Sequence, residues 1–148
     1  MRDIKFRGKR VDNGEWVYGD LIHERYGTCI QYTTKRTPTG YGAPEAETIT
    51  ERHKVTIDPS TVGQFTGLKD KNGKEIYEGD ILKDTDNEIY YVDFIRGCFY
   101  LRTNYKSFPH LGWAEWLPMC EIDRLANPTE FEVIGNIYEN PELLNKIG

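Results

Sequence analysis

The sequence predicts a mainly β, barrel-like domain that ends in one short helix. Three observations lead there. Short runs rich in β-branched and aromatic residues recur along the 148-residue chain. Gly, Pro and Asn break the chain between those runs. A hairpin-like frame occurs twice. At ~100–200 residues per domain, the length fits a single domain over residues 1–148 with a real core. Aromatic residues make up 13% of the chain, which rules out disorder of the whole.

The repeated frame carries the argument for hairpins. Residues 6–14 read FRGKRVDNG and residues 65–73 read FTGLKDKNG, sharing F-x-G-x-[RK]-x-x-N-G without a gap. After one inserted residue in the second copy, the frame continues into GDLI at 19–22 and GDIL at 79–82. Asn13-Gly14 and Asn72-Gly73 between strand-like runs predict type I′ turns, which need positive φ at both central residues. Gly8 and Gly67, two residues after an aromatic, predict a bulge or a close backbone approach. Gly19-Asp20 and Gly79-Asp80 predict a turn or bulge that leads into a buried strand. Each copy, over 6–22 and 65–82, therefore reads as strand, turn, strand.

The remaining elements follow from local pattern. Thr28–Thr33 and Thr48–Ile57 read as half-buried strands. Between them Lys35–Glu47, with two Pro and two Gly, reads as a long mobile loop carrying Tyr41 at its tip as a candidate contact residue. Asp58-Pro59 predicts a capped turn. Ile89–Phe94 and Cys98–Arg102 flank Ile95-Arg96-Gly97, a second kind of hairpin. Phe131–Ile137 reads as a last strand. Asn140-Pro141-Glu142 has the order of a cap and a first helical turn, and Leu143, Leu144 and Ile147 would share the docked face. Helix is scarce elsewhere: Trp113–Leu125 has room for a turn, which Pro118 interrupts.

Charge and cysteine usage restrict the function classes. The formal net charge is −5, which disfavours nucleic-acid binding by the whole surface. The first ten residues go the other way, with Arg2, Lys5, Arg7, Lys9 and Arg10 against Asp3. Trp16 and Tyr18, at i and i+2 of a strand, share a face, and Trp113 and Trp116 bracket Ala-Glu. Exposed aromatic rings beside cations bind bases, sugars or peptides. The candidate binding residues are therefore Lys5, Arg7, Lys9, Trp16, Tyr18, Tyr41 and Trp113. Three scattered cysteines (Cys29, Cys98 and Cys120) read as reduced thiols. No apolar run is long enough to span a membrane, and no apolar stretch follows the basic start as a secretory signal requires.

Motifs that would carry chemistry fail on spacing. Gly67 to Gly73 has five residues between its glycines where a phosphate loop has four, and Glu75 stands where Ser or Thr belongs. Asp84-Thr85-Asp86-Asn87-Glu88 begins like a Ca²⁺ loop but has Ile89 in place of the turn glycine. His23, His53 and His110 have no zinc-ligand spacing to each other or to the cysteines. No catalytic residue, metal or cofactor is expected. One enzymatic alternative is a hydrolase using Asp20 and Asp80, which requires the two carboxyls to converge within about 5–10 Å.

KFRGKR (5–10), WVYGDL (16–21), TVGQFTGLKDKNGKEIYEGDIL (61–82) and EVIGNIYENPELL (132–144) resemble the YopX-like family of phage and prophage proteins. The likeness covers both ends and the centre in order; 33–50 and 103–125 carry no family pattern. It implies a small β-rich protein of a phage or prophage, in the bacterial cytoplasm, and brings no reaction, cofactor or catalytic residue with it. The expectation is a non-enzymatic binding or adaptor module whose partner is a host or phage protein. The other binding alternative is a nucleic-acid-associated module using the basic amino-terminal arm and Trp16 or Tyr18. Self-association is left open.

Overall fold

In a computed structural model of the chain, the described residues are 3–38, 40, 48–102, 116–118 (backbone) and 130–145. They form eleven strands and two short 3-10 segments. The mainly β expectation holds. The chain divides into two compact units, Lys5–Val62 and Gly63–Gly148 with Met1–Ile4. Each unit contains one copy of the repeated frame.

The first unit is an antiparallel sheet of β1 (Phe6–Lys9), β2 (Trp16–Glu24), β3 (Gly27–Arg36) and β4 (Ile49–Thr56), in the order β4-β3-β2-β1. β2 is shared along its length. Trp16–Gly19 pair with β1, and Asp20–Glu24 pair with β3. Gly19 stands at the changeover, where a Cβ would run into the Gln31 carbonyl. One face carries the core of Val17, Ile30 and Ile57, packed by Phe6, Leu21, Tyr32, Val55 and Val62. Gly8 lies directly under Ile57, and a Cβ there would overlap its Cδ1. The close approach expected of Gly8 is therefore real. Beyond β4, Ile57 bridges to Arg10, the Val11 N–H donates to Thr56 O (3.2 Å) and the Asp58 N–H to Lys9 O (2.8 Å). Asp58 then caps the 3-10 segment Pro59–Thr61 through the Ser60 N–H (2.9 Å), as the Asp-Pro order predicts.

In the second unit, β5 (Gly63–Lys69) and β6 (Glu75–Tyr77) form a hairpin. β7 (Asp80–Lys83), β8 (Ile89–Ile95), β9 (Cys98–Arg102), β10 (Trp116–Pro118) and β11 (Glu132–Asn136) form an antiparallel sheet ordered β10-β9-β8-β7-β11. Its core is Ile76, Leu82, Tyr90, Val92, Phe99, Leu101 and Phe131, with Leu68 and Val133 against it. The Tyr90 and Phe131 rings meet edge to face with centroids 5.9 Å apart. Gly67, at φ +88, sits in a register shift between Phe65 and Lys69, the bulge its position predicts.

The structure departs from the sequence expectations in five places, one of them β10, a strand inside the Trp113–Leu125 stretch whose pattern offers only a turn. No closed barrel is present among the described residues: β4 ends one strand order, and β10 and β11 end the other. The single Arg10–Ile57 bridge ties the ends of β1 and β4 together but supplies no ladder. The carboxy-terminal helix is a five-residue 3-10 segment, Pro141–Asn145, too short for α-helical bonds to offset nucleation. Leu143 and Leu144 are half-buried in it, and Ile147 lies outside the described residues. Lys35 and Arg36, expected to begin a loop, extend β3 opposite Thr50 and Ile49. Finally, the Asn-Gly turns are not type I′. Gly14 and Gly73 have positive φ (73° and 79°), but Asn13 and Asn72 do not.

The reason for the last departure is visible in the second copy. The Asp70 carboxylate accepts the N–H groups of Asn72 (2.8 Å) and Lys74 (2.9 Å), while the Gly73 N–H closes onto Asp70 O (3.0 Å). That is a type I turn with only its last residue left-handed. Asp84 repeats the device, accepting from Asp86 N and Glu88 N (2.9 Å each), with Asn87 at φ +64 in the glycine's place. Residues 84–88 thus form a turn built on the Asp84 carboxylate. The true I′ turn is Arg96-Gly97, at φ +51 and +79.

Candidate functional site

The β1–β2 ladder brings together four of the residues singled out from sequence. Lys9 stands opposite Trp16 and Arg7 opposite Tyr18. Paired residues of an antiparallel ladder point the same way, so all four lie on the face away from Phe6 and Val17. The Arg7 guanidinium sits over the Trp16 ring at 4.6 Å from its centroid, and Lys9 Nζ is 5.7 Å from the same centroid. Cations at these distances are attracted to the indole face. Arg7 is only 5% exposed, while Tyr18 beside it is 45% exposed.

The rest of the basic arm is distributed. Lys5 is half-buried just before β1, and Arg2 lies outside the described residues. Arg10 forks onto Asp12 with bonds of 2.9 and 2.6 Å, and this bond holds the Asp12 carboxyl below the usual carboxylate range. Three of the five arm cations are therefore engaged within their own unit. Tyr41 and Trp113 lie outside the described residues, as do Cys120 and His110.

The twin aspartates do different things. Asp20 is exposed on β2, opposite Gln31. Asp80 is 1% exposed and accepts the Tyr77 N–H at 2.8 Å, tying the end of β6 to the start of β7. This bond gives Asp80 a structural task that Asp20 lacks, so the matched sequence does not make a matched pair.

Other polar clusters are small. His53 stacks on Tyr32 with centroids 5.0 Å apart, and its Nε2 lies 2.7 Å from Thr34 Oγ1. Cys29 is buried, with Glu24 Oε2 and Thr56 Oγ1 each 3.9 Å from its sulfur. Glu24 is ion-paired with Lys54. Among the described residues no group of three His, Cys, Asp or Glu could hold a metal ion. Two features carry little signal in the sequence. Asp70, buried and accepting three backbone N–H groups, was legible only as part of D-x-x-[GN]. The exposed cations Lys35 and Arg52 fell in a stretch without a motif.

The family model of the YopX protein matches residues 5–145. The chain belongs to the YopX family. Among solved structures it is similar to protein EF1440 from Enterococcus faecalis, at 26% identity and a TM-score of 0.53. That alignment covers 97% of this chain and 99% of the other. No curated protein matches it. The YopX match spans both copies of the repeated frame and the Arg7–Trp16–Lys9 stack.

Proposed function

We propose that this YopX-family chain is a non-enzymatic binding or adaptor module, encoded by a phage or prophage and acting in the bacterial cytoplasm. The observation that carries this reading is Tyr18, an exposed ring held beside the Arg7–Trp16–Lys9 stack. An aromatic anchor with low conformational freedom, bordered by Arg and Trp, has the composition of interface hot spots. The engagement of Arg7 with Trp16, and of Arg10 with Asp12, speaks for a packed contact surface rather than a free phosphate-reading arm.

The test is affinity capture from infected host lysate with the tagged chain and its Tyr18→Ala variant, each with and without nuclease, read by mass spectrometry. A partner that survives nuclease and is lost with Tyr18→Ala supports the reading. Identical captured sets from the two chains overturn the assignment of this surface.

A further inference from the structure

The hairpin of β3 and β4 outruns the sheet. Cys29–Arg36 pair with Ile49–Thr56, but β3 pairs with β2 only through Gly27–Gln31. From Tyr32 to Arg36 and from Ile49 to His53, the register pairs the two strands with each other alone. This segment is a two-stranded ribbon.

Its faces differ. One carries Tyr32, Thr34, Arg36, Glu51 and His53, which contact one another: the Tyr32–His53 stack, the Thr34–His53 bond and an Arg36–Glu51 ion pair at 3.7 Å. The other carries Thr33 opposite Arg52 and Lys35 opposite Thr50, all four exposed. That face of the ribbon has no acidic residue. Lys35 and Arg52 have no acidic partner among the described residues, whereas the next cation along the face, Lys54, is held by Glu24. Diagonal cross-strand neighbours stand about 7–8 Å apart, so Lys35 and Arg52 repel unless an anion lies across them.

We propose that this face of the ribbon binds duplex DNA, with Lys35 and Arg52 on neighbouring phosphates and the Thr33 and Thr50 hydroxyls donating beside them. The proposal rests on the binding-module reading and gives it a partner class and a second surface. Three features select this partner. The donors stand on an open face across two paired strands instead of in a pocket, which suits a polyanion laid over the surface. A two-stranded ribbon fits the major groove, which is about 12 Å wide. Arg, Lys and Thr are the residue types that contact DNA phosphates. The charge is local, so a chain of net charge −5 can bind DNA here without binding it everywhere.

The test is fluorescence anisotropy of the full chain with a labelled DNA duplex two helical turns long. The expected result is saturable binding that weakens as salt rises from about 50 to 200 mM, with a log–log slope near −2 for two phosphates. Lys35→Ala with Arg52→Ala should weaken binding at least tenfold and flatten that slope by about 2, as removing two phosphate contacts requires. Arg36→Ala, on the opposite face, should leave affinity unchanged; circular dichroism confirms the fold of each variant. Absence of saturable binding at low salt overturns the proposal. So does binding that the double variant leaves intact, or that Arg36→Ala lowers equally. If the duplex does not bind while the Tyr18-dependent partner is captured, the ribbon assignment falls and the module reading stands.

Discussion

Replacing Asp70 should destabilise the second unit more than any other single carboxylate change in a turn. Its Oδ1 takes the Asn72 and Lys74 N–H groups at 2.8 and 2.9 Å, and its Oδ2 takes the Val133 N–H at 3.0 Å. The side chain therefore builds the β5–β6 turn and fastens it to β11. Hydrogen bonds to a charged group contribute about 1.5–3 kcal/mol each. Asn72 and Lys74 are exposed, so water takes over much of their share; the half-buried Val133 N–H has less access to it. The sum for Asp70→Ala is then about 2–4 kcal/mol, short of three full bonds. Asp70→Asn should recover only the turn portion, because the amide nitrogen that replaces Oδ2 would face another N–H. Asp84→Ala is the control, since Asp84 makes the same two turn bonds and only a Tyr90 hydroxyl bond (3.0 Å) beyond them. Urea unfolding followed by far-ultraviolet circular dichroism reads all three. Burial pushes the Asp70 carboxyl up, but the N–H groups of Val133, Lys74 and Asn72 outweigh it and hold the group below its ordinary value. A depressed native pKa gives stability that is present above the unfolded value of about 3.9 and lost as pH falls through the native one. Asp70→Ala should therefore lose less stability than wild type between pH 5 and the acid limit. A cost below about 1 kcal/mol, or no greater than that of Asp84→Ala, would refute the reasoning.

Gly8→Ala places a Cβ against Ile57 Cδ1 and should cost about 1–3 kcal/mol in a thermal or urea melt, as overpacking does. Ile57→Val in the same chain removes that atom and should restore part of the loss, giving a non-additive double-mutant cycle. Gly73→Ala has open space around it but a φ of +79°, so its cost should be conformational, about 1 kcal/mol, and smaller for Gly73→Asn. Tyr18→Ala should change stability by less than about 0.5 kcal/mol while abolishing partner capture, which separates contact from packing.

Much of the β architecture was legible because β-branched and aromatic runs report half-buried strands directly. Thr48–Ile57, Ile89–Phe94 and Cys98–Arg102 reappear as β4, β8 and β9 within a residue or two. Turn type was less legible. Asn-Gly describes what the last two residues tolerate, whereas the actual turn is set by a carboxylate two positions before the Asn. The same frame has Val11 where the second copy has Asp70, so the first turn closes differently, from the Gly14 N–H to Arg10 O at 3.0 Å. Barrel closure depends on which strand edges meet, and residue pattern carries no information about edges. At the candidate site, face-sharing of Trp16 and Tyr18 followed from strand period alone. That Arg7 would be buried against Trp16 required the register Lys9–Trp16, which only the folded ladder supplies. Pro and Gly close behind Lys35 point to a loop, whereas the strand pairing that carries β3 through Arg36 is non-local.

The divergence of the two copies accounts for where function can reside in this fold. Their common residues serve the fold: Phe6 packs on the first core and Phe65 is buried against Tyr77, while Gly8, Gly67, Gly14 and Gly73 act through backbone geometry. In the second copy Thr66 and Leu68 occupy the sites of Arg7 and Lys9; the Thr66 hydroxyl donates to Ile76 O at 2.8 Å, and Leu68 packs on the core. Those two positions serve the interior of the second unit. In the first copy the same two positions are cationic and meet Trp16 on the face opposite the core. One hairpin frame thus supports a packing role in one unit and a cation–aromatic surface in the other. The difference lies entirely in the variable positions between conserved-geometry residues. Substituting Thr and Leu for Arg7 and Lys9 should therefore keep the first hairpin folded while removing the charged stack that borders Tyr18.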